Sequence, residues 1–191
     1  MRALGFDPGT ATTGYGVVDS RGSRLTHVAH GVIATPSKWH FADRLKFIFE
    51  EASRLLDLFK PEAVAVERLF FVQNVTNGIQ VAQARGVLVL AAAQAGLPVG
   101  EFSPTEAKTA VVGYGHADKR QVQEMVKRLL SLETIPKPDD AADALAMAIC
   151  QVQTNRFGPA RIVLRRFLET FPSEARRGQA EAMLKELEAM K

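Results

Sequence analysis

Ala63-Val64-Ala65-Val66 is a continuous apolar run between Pro61-Glu62 and Glu67. A run without polar alternation suits a strand covered on both faces, and covering both faces takes helices above and below a sheet. The same run delivers a carboxylate to the end of a buried strand. An acid there is costly unless it is solvated, paired or bound to a metal.

The chain before this run reads as three more strands. Ala3-Leu4-Gly5-Phe6 ends at Asp7, and Pro8-Gly9 turns the chain. Gly14-Tyr15-Gly16-Val17-Val18 closes around Gly22, and Leu25 to Ile33 alternates loosely before Pro36. Short connections among the three predict an antiparallel meander. Phe41, Leu45, Ile48, Phe49, Ala52, Leu56 and Phe59 then recur at helical spacing until Pro61 stops them. After Glu67 come an Ala-rich helix from about Asn74 to Ala95, a short strand around Val99 and an amphipathic helix carrying Val122, Met125, Val126, Leu129 and Leu130. A core helix begins at Asp139 or Asp140, where an acid complements the positive helix N-terminus. Strand, helix, strand, helix after a meander predicts an α/β fold, a mixed sheet flanked by helices.

Residues 154–191 have a separate pattern. Leu164, Phe167, Leu168 and Phe171 form one helical stripe and Ala180, Met183, Leu184 and Leu187 another, with Phe171-Pro172-Ser173 between them. The expected organisation is a 1–153 domain and a 154–191 helical hairpin. One such hairpin cannot bury a core alone, so it docks onto the body, a second subunit or a partner.

Charge decides little by itself. The net formal charge is +3, and residues 154–191 hold eight Lys/Arg and five Asp/Glu, which leaves the first 153 residues with 16 of each. A neutral body binds nucleic acid only by gathering its cations on one face. Cys150 is the single cysteine, in an apolar run, so it reads as a packed thiol in a reducing compartment. The start lacks a cationic-then-apolar leader and no apolar run reaches the ~20 residues of a membrane span. The expectation is a cytoplasmic protein without a membrane partner.

Asp7 and Glu67 stand at the ends of two strands, and Asp140 and Asp143 stand i, i+3 on one helix. If that helix crosses the sheet, four oxygen donors converge. Such a set suits hard divalent cations such as Mg²⁺, and the Cys/His spacings of zinc sites are missing. Two ions about 4 Å apart support in-line displacement at phosphorus. Singly, Asp7 also fits a turn residue before Pro8, and Asp140 and Asp143 fit ordinary helix-start acids. The Asp7-Pro8-Gly9-Thr10 turn with Gly14-Tyr15-Gly16 also resembles the phosphate hairpin of actin-like ATPases, but the chain is too short for their two lobes.

Gly5-Phe6-Asp7-Pro8-Gly9-Thr10, Gly14-Tyr15-Gly16-Val17, Val66-Glu67-Arg68-Leu69-Phe70, Gln83-Ala84-Arg85-Gly86-Val87, Val111-Val112-Gly113 and Asp140-Ala141-Ala142-Asp143-Ala144-Leu145-Ala146 resemble, in order and spacing, RuvC, the bacterial Holliday-junction resolvase family. The resemblance runs from about residue 2 to 152. It implies a ribonuclease-H-like mixed five-stranded sheet, a homodimer, and paired symmetric nicks in a four-way DNA junction with two Mg²⁺ or Mn²⁺ ions per active site. The family's acids fall on Asp7, Glu67, Asp140 and Asp143, with Asp139 competing for the place of Asp140. Its junction-contacting aromatic falls on Phe70, with Phe71 and Asn74 in the same loop. Basic contacts fall on Lys108 and Lys119, with Arg85 and Arg120 as further DNA-binding candidates. A branch-migration complex of RuvA and RuvB is implied by the family alone. The tail departs from the family's short, basic ending.

Two other readings compete. A pre-ribosomal-RNA nuclease family shares an Asp-Pro-Gly-Thr opening but lacks the Asp-Ala-Ala-Asp helix in this form. A binding protein with a decayed site would have lost acids that are all present here.

Overall fold

The computed structural model describes residues 1–68, 75–170 and 177–189. Its elements run β1 (Arg2–Asp7), β2 (Thr12–Arg21), β3 (Arg24–Ala34), α1 (Phe41–Phe59), β4 (Ala63–Glu67), α2 (Val75–Gln94), β5 (Val99–Phe102), α3 (Pro104–Val112), α4 (Lys119–Leu129), α5 (Asp139–Thr170) and α6 (Arg177–Ala189). The sheet order is β3-β2-β1-β4-β5. β1–β2 and β2–β3 are antiparallel, while β1–β4 and β4–β5 are parallel. This is the ribonuclease-H-like mixed sheet that the motifs imply. The loose alternation of β3 has a cause: the register shifts between Val17 and Val18, so that Ala29 pairs with Val17 but His27 with Val18. The bulge leaves Val28 unpaired and lets the His27 and His30 rings meet, Nε2 to Nδ1 at 2.7 Å.

Strand alternation assigns the two faces. Leu4, Phe6, Val17, Val64 and Val66 pack against Ile48, Leu55 and Leu88 of α1 and α2. On the other face, Ala3 and Val18 pack with Val126, Leu145 and Ile149, and Ala65 packs with Ala107 and Met147. Fully buried side chains such as Phe6 and Leu145 each contribute about 1.5–3 kcal/mol by leaving water. Because side chains alternate, Asp7 shares the face of Ala3 and Gly5, and Glu67 that of Ala63 and Ala65. The parallel register Ala3↔Ala63 to Phe6↔Val66 brings these two acids to neighbouring strand ends.

That second face is unusually close to α5. Cβ atoms at Gly5, Gly14 and Gly16 would lie under 3.0 Å from α5 backbone atoms of Ala144, Asp140 and Leu145 respectively. Three strand glycines opposite an alanine-rich helix thus let backbone approach backbone.

Local signals set the helix ends. Lys60 takes a left-handed conformation (φ 47°) and its N–H donates to the Leu56 carbonyl, closing α1 before Pro61. Hydrophobic periodicity does not mark α3, yet it carries a full start signature. The Ser103 hydroxyl accepts from the Glu106 N–H at 3.1 Å, Glu106 Oε2 accepts from the Ser103 N–H at 2.8 Å, and Pro104 follows the cap.

α5 continues unbroken to Thr170, whereas a boundary near 153/154 was expected between two elements. The chain divides into compact units Met1–Val152 and Gln153–Lys191. Within the second, Arg177 Nη1 donates to the Leu168 carbonyl at 2.9 Å, Ala180 is buried and Met183 is exposed. Phe171-Pro172-Ser173 and the side chains of Leu164 and Phe167 lie outside the described residues. Among the described residues no helix is long and apolar enough to cross a membrane.

Candidate active site

Asp7 closes β1 on the face covered by α5. Burial, then the charges of Glu67, Asp143 and Asp140, push its carboxyl up to about 8. Glu67 is raised by burial and by Asp143, with a side-chain hydrogen bond to Asp7 acting the other way. Asp143 is also raised by burial, against the pull of Lys119. The four acids thus share one strongly negative, partly desolvated edge of the sheet.

Lys119, the first residue of α4, reaches into this edge. Its Nζ lies 3.2 Å from Asp139 Oδ2 and 3.3 Å from Asp143 Oδ2. Burial pulls the Lys119 ammonium down, but its bonds to Asp139 and Asp143 win and hold it above its ordinary value. The Asp118 cap, whose Oδ1 accepts from the Gln121 N–H at 2.9 Å, fixes the helix end that carries it. Asp139 and Asp140 separate here. Asp139 is exposed, turned toward α4, and accepts from Gln123 Nε2 at 3.1 Å. Asp140 acts on Asp7. Among the described residues no three His, Cys, Asp or Glu side chains form a ready-made metal cage. Lys119 engages Asp143, so an ammonium meets part of the charge that a cation would balance.

The other candidates divide. Arg85 is largely buried: Nε donates to the Glu67 carbonyl at 2.9 Å and Nη2 pairs with Glu101. It ties α2 to the ends of β4 and β5 and so holds the strand end that presents Glu67. Lys108 lines a cavity beside Glu67, Asp143 and Lys119. Arg120 is exposed, on a different cavity with Tyr114 and Asp118. Phe70, Phe71 and Asn74 lie outside the described residues. The turn after Asp7 is satisfied internally, since Thr13 Oγ1 donates to the Gly9 carbonyl at 2.6 Å.

The family described as crossover junction endodeoxyribonuclease RuvC matches residues 3–151. The chain belongs to the RuvC family. RuvC of Rubrobacter xylanophilus is 55% identical over 157 residues, 82% of this chain and 88% of that protein. RuvC of Heliobacterium modesticaldum is 52% identical over 160 residues, 84% of this chain and 99% of that one. Among solved structures, Thermus thermophilus RuvC in complex with a Holliday junction substrate superposes with a TM-score of 0.79 at 36% identity, covering 83% of this chain and 96% of that one. The protein is accordingly a DNA endonuclease of a metal-dependent family.

Sequence reasoning missed two parts of the site. One is the Asp139–Lys119–Gln123 clamp. The other is the glycine bed beneath α5, which glycines inside strand patterns can signal.

Proposed function

We propose that this RuvC-family enzyme resolves four-way DNA junctions by paired symmetric nicks, with Asp7, Glu67, Asp140 and Asp143 as its catalytic and metal-holding residues. The observation that carries the reading is Asp7, a carboxyl raised to about 8 by burial and by three neighbouring acids. Such an edge is built for more positive charge than one lysine supplies. The donor set, all carboxylate oxygens, fits hard divalent cations. These four side chains would hold two Mg²⁺ or Mn²⁺ ions, whose chemistry there would be Lewis-acid polarisation of the phosphate and a lowered pKa of the attacking water.

The chain's own residues do the rest. Asp7 and Glu67 on neighbouring strands, with Asp140 and Asp143 on α5, would fix the cations that face the scissile phosphate. Lys108 and Lys119, which line one cavity with Glu67 and Asp143, hold the flanking backbone, and Phe70, Phe71, Asn74, Arg85 and Arg120 are the further DNA contacts of this reading. Residues 1–153 form the nuclease domain and 154–191 a helical extension. Symmetric incision needs two active sites, and a homodimer provides them. Ile79 and Leu90 support this: both are exposed and lie three turns apart on one face of α2. Junction substrate, cytoplasmic action and cooperation with RuvA and RuvB complete the reading.

The test is incubation with synthetic four-way junctions and matched linear duplexes. Paired nicks in the junction alone, present with Mg²⁺ or Mn²⁺ and absent in EDTA, are expected. Equal cutting of duplex and junction, or cutting in EDTA, overturns the proposal.

A further inference from the structure

Beside the carboxylates the fold leaves a cavity of about 250 Å³. Glu67 and Asp143 form one wall and Lys108 and Lys119 line it as well. Its floor is apolar: Ala107 of α3, Val122 of α4, and Ala146 and Met147 of α5. The floor residues are rigid, because each belongs to one of the two packed clusters on this face of the sheet. Catalysis by carboxylates and phosphate binding by lysines do not require an apolar hollow between them. Its volume is below the ~300–1,000 Å³ of pockets that bury drug-sized ligands, and suits a single nucleoside.

We infer that this cavity receives the nucleoside adjoining the scissile phosphate, and that Ala107 and Val122 set which bases fit. The inference rests on the phosphodiester-cleaving reading of the carboxylate edge. Lys108 and Lys119 in the same lining can meet the charge of a phosphate at this edge, which would leave a neighbouring sugar and base beside the apolar side chains. Apolar walls accept a base pulled from its stack by contact with its face, and bases already unpaired at a crossover enter at least cost. Selection is then by size, because the floor side chains offer the base edges no hydrogen-bonding groups. The lysines fix the backbone without reading sequence.

Ala107→Val narrows the cavity and Val122→Ala widens it; both are small changes, checked for folding by thermal midpoint. Junctions differing only in the base pairs flanking the cut are nicked in Mg²⁺ by all three proteins. The purine-to-pyrimidine ratio of kcat/KM is expected to fall about tenfold in Ala107→Val and to rise in Val122→Ala, the low end of the scale for one or two methyl-sized groups in a fitted pocket. In parallel, each deoxynucleoside 5′-monophosphate is titrated while the Met147 methyl resonance is followed by NMR, and movement is expected in wild type. Superimposable sequence profiles in the three proteins, or an unmoved Met147 resonance, overturn the assignment. Movement at Met147 without junction nicking by wild type supports the cavity and counts against the junction reading alone.

Discussion

Asp7→Asn abolishes nicking, by roughly 10³-fold or more, while junction binding persists and the metal-free protein becomes more stable. The loss follows from removing the acid on which the charges of Glu67, Asp140 and Asp143 converge. The gain in stability follows from linkage. Asp7 titrates near 8 when folded, against an ordinary 3.8. Between those values the folded state holds the proton more tightly than the unfolded state, so stability falls as pH rises from about 4 to 8. Glu67 and Asp143 are shifted in the same direction. The lowered acids Asp19 and Asp139 lose their contribution only in more acidic solution.

Calorimetry in EDTA therefore shows a falling Tm from pH 5 to 8 in wild type and a flatter profile in Asp7→Asn. At pH 8 the variant is about 1–2 kcal/mol more stable, the usual scale on which a strained active site opposes stability. Adding Mg²⁺ or Mn²⁺ raises the wild-type Tm at pH 8 and leaves the variant nearly unmoved. A wild-type profile that rises through this window, or nicking retained by the variant, contradicts the assignment.

Gly14→Val damages both fold and activity without touching a charged group. Its Cβ would collide with the Asp140 carbonyl and the backbone just after it, at the first turn of α5. Strand β2 is paired on both sides, so the helix end must lift. The expected cost is about 1–3 kcal/mol or more, as for other overpacked cores. Displacing Asp140 and Asp143 by even about 1 Å from Asp7 and Glu67 lowers the nicking rate roughly 10²-fold. Gly178→Ala, where an added Cβ meets nothing within 4 Å, should change neither. Denaturant midpoints and nicking rates of the two variants decide the matter. Full activity in Gly14→Val would mean that the close approach does not position the acids.

These results bear on how the chain encodes its site. Apolar runs and helical spacing placed β1 to β4, α1, α2 and α4 near their observed bounds, since period and burial are local properties. Ser103, Pro104 and Glu106 carried an equally local signal for α3 that was not read. α5 runs through the expected domain boundary at 153/154, because an apolar stripe reports a face and not whether the helix has stopped.

Asp7 and Glu67 were legible because an acid that ends a buried strand is conspicuous by its desolvation cost. The partner of a charge is not a local property. Asp139 and Asp140 are adjacent in sequence and equally acidic, and only the packing of α4 against the start of α5 gives Lys119 and Gln123 to the first and leaves the second to act on Asp7. Only the fold sets Arg85 against the Glu67 carbonyl and Glu101.

The sequence by itself therefore determined the elements, the face each acid occupies and the family. The tertiary structure decided which cation meets which carboxylate, how closely α5 lies on Gly5, Gly14 and Gly16, and that an apolar hollow opens beside the acids. Those outcomes depend on distances between segments far apart in the chain, where a few tenths of an ångström separate contact from collision; strand glycines hint at a close approach without saying what approaches.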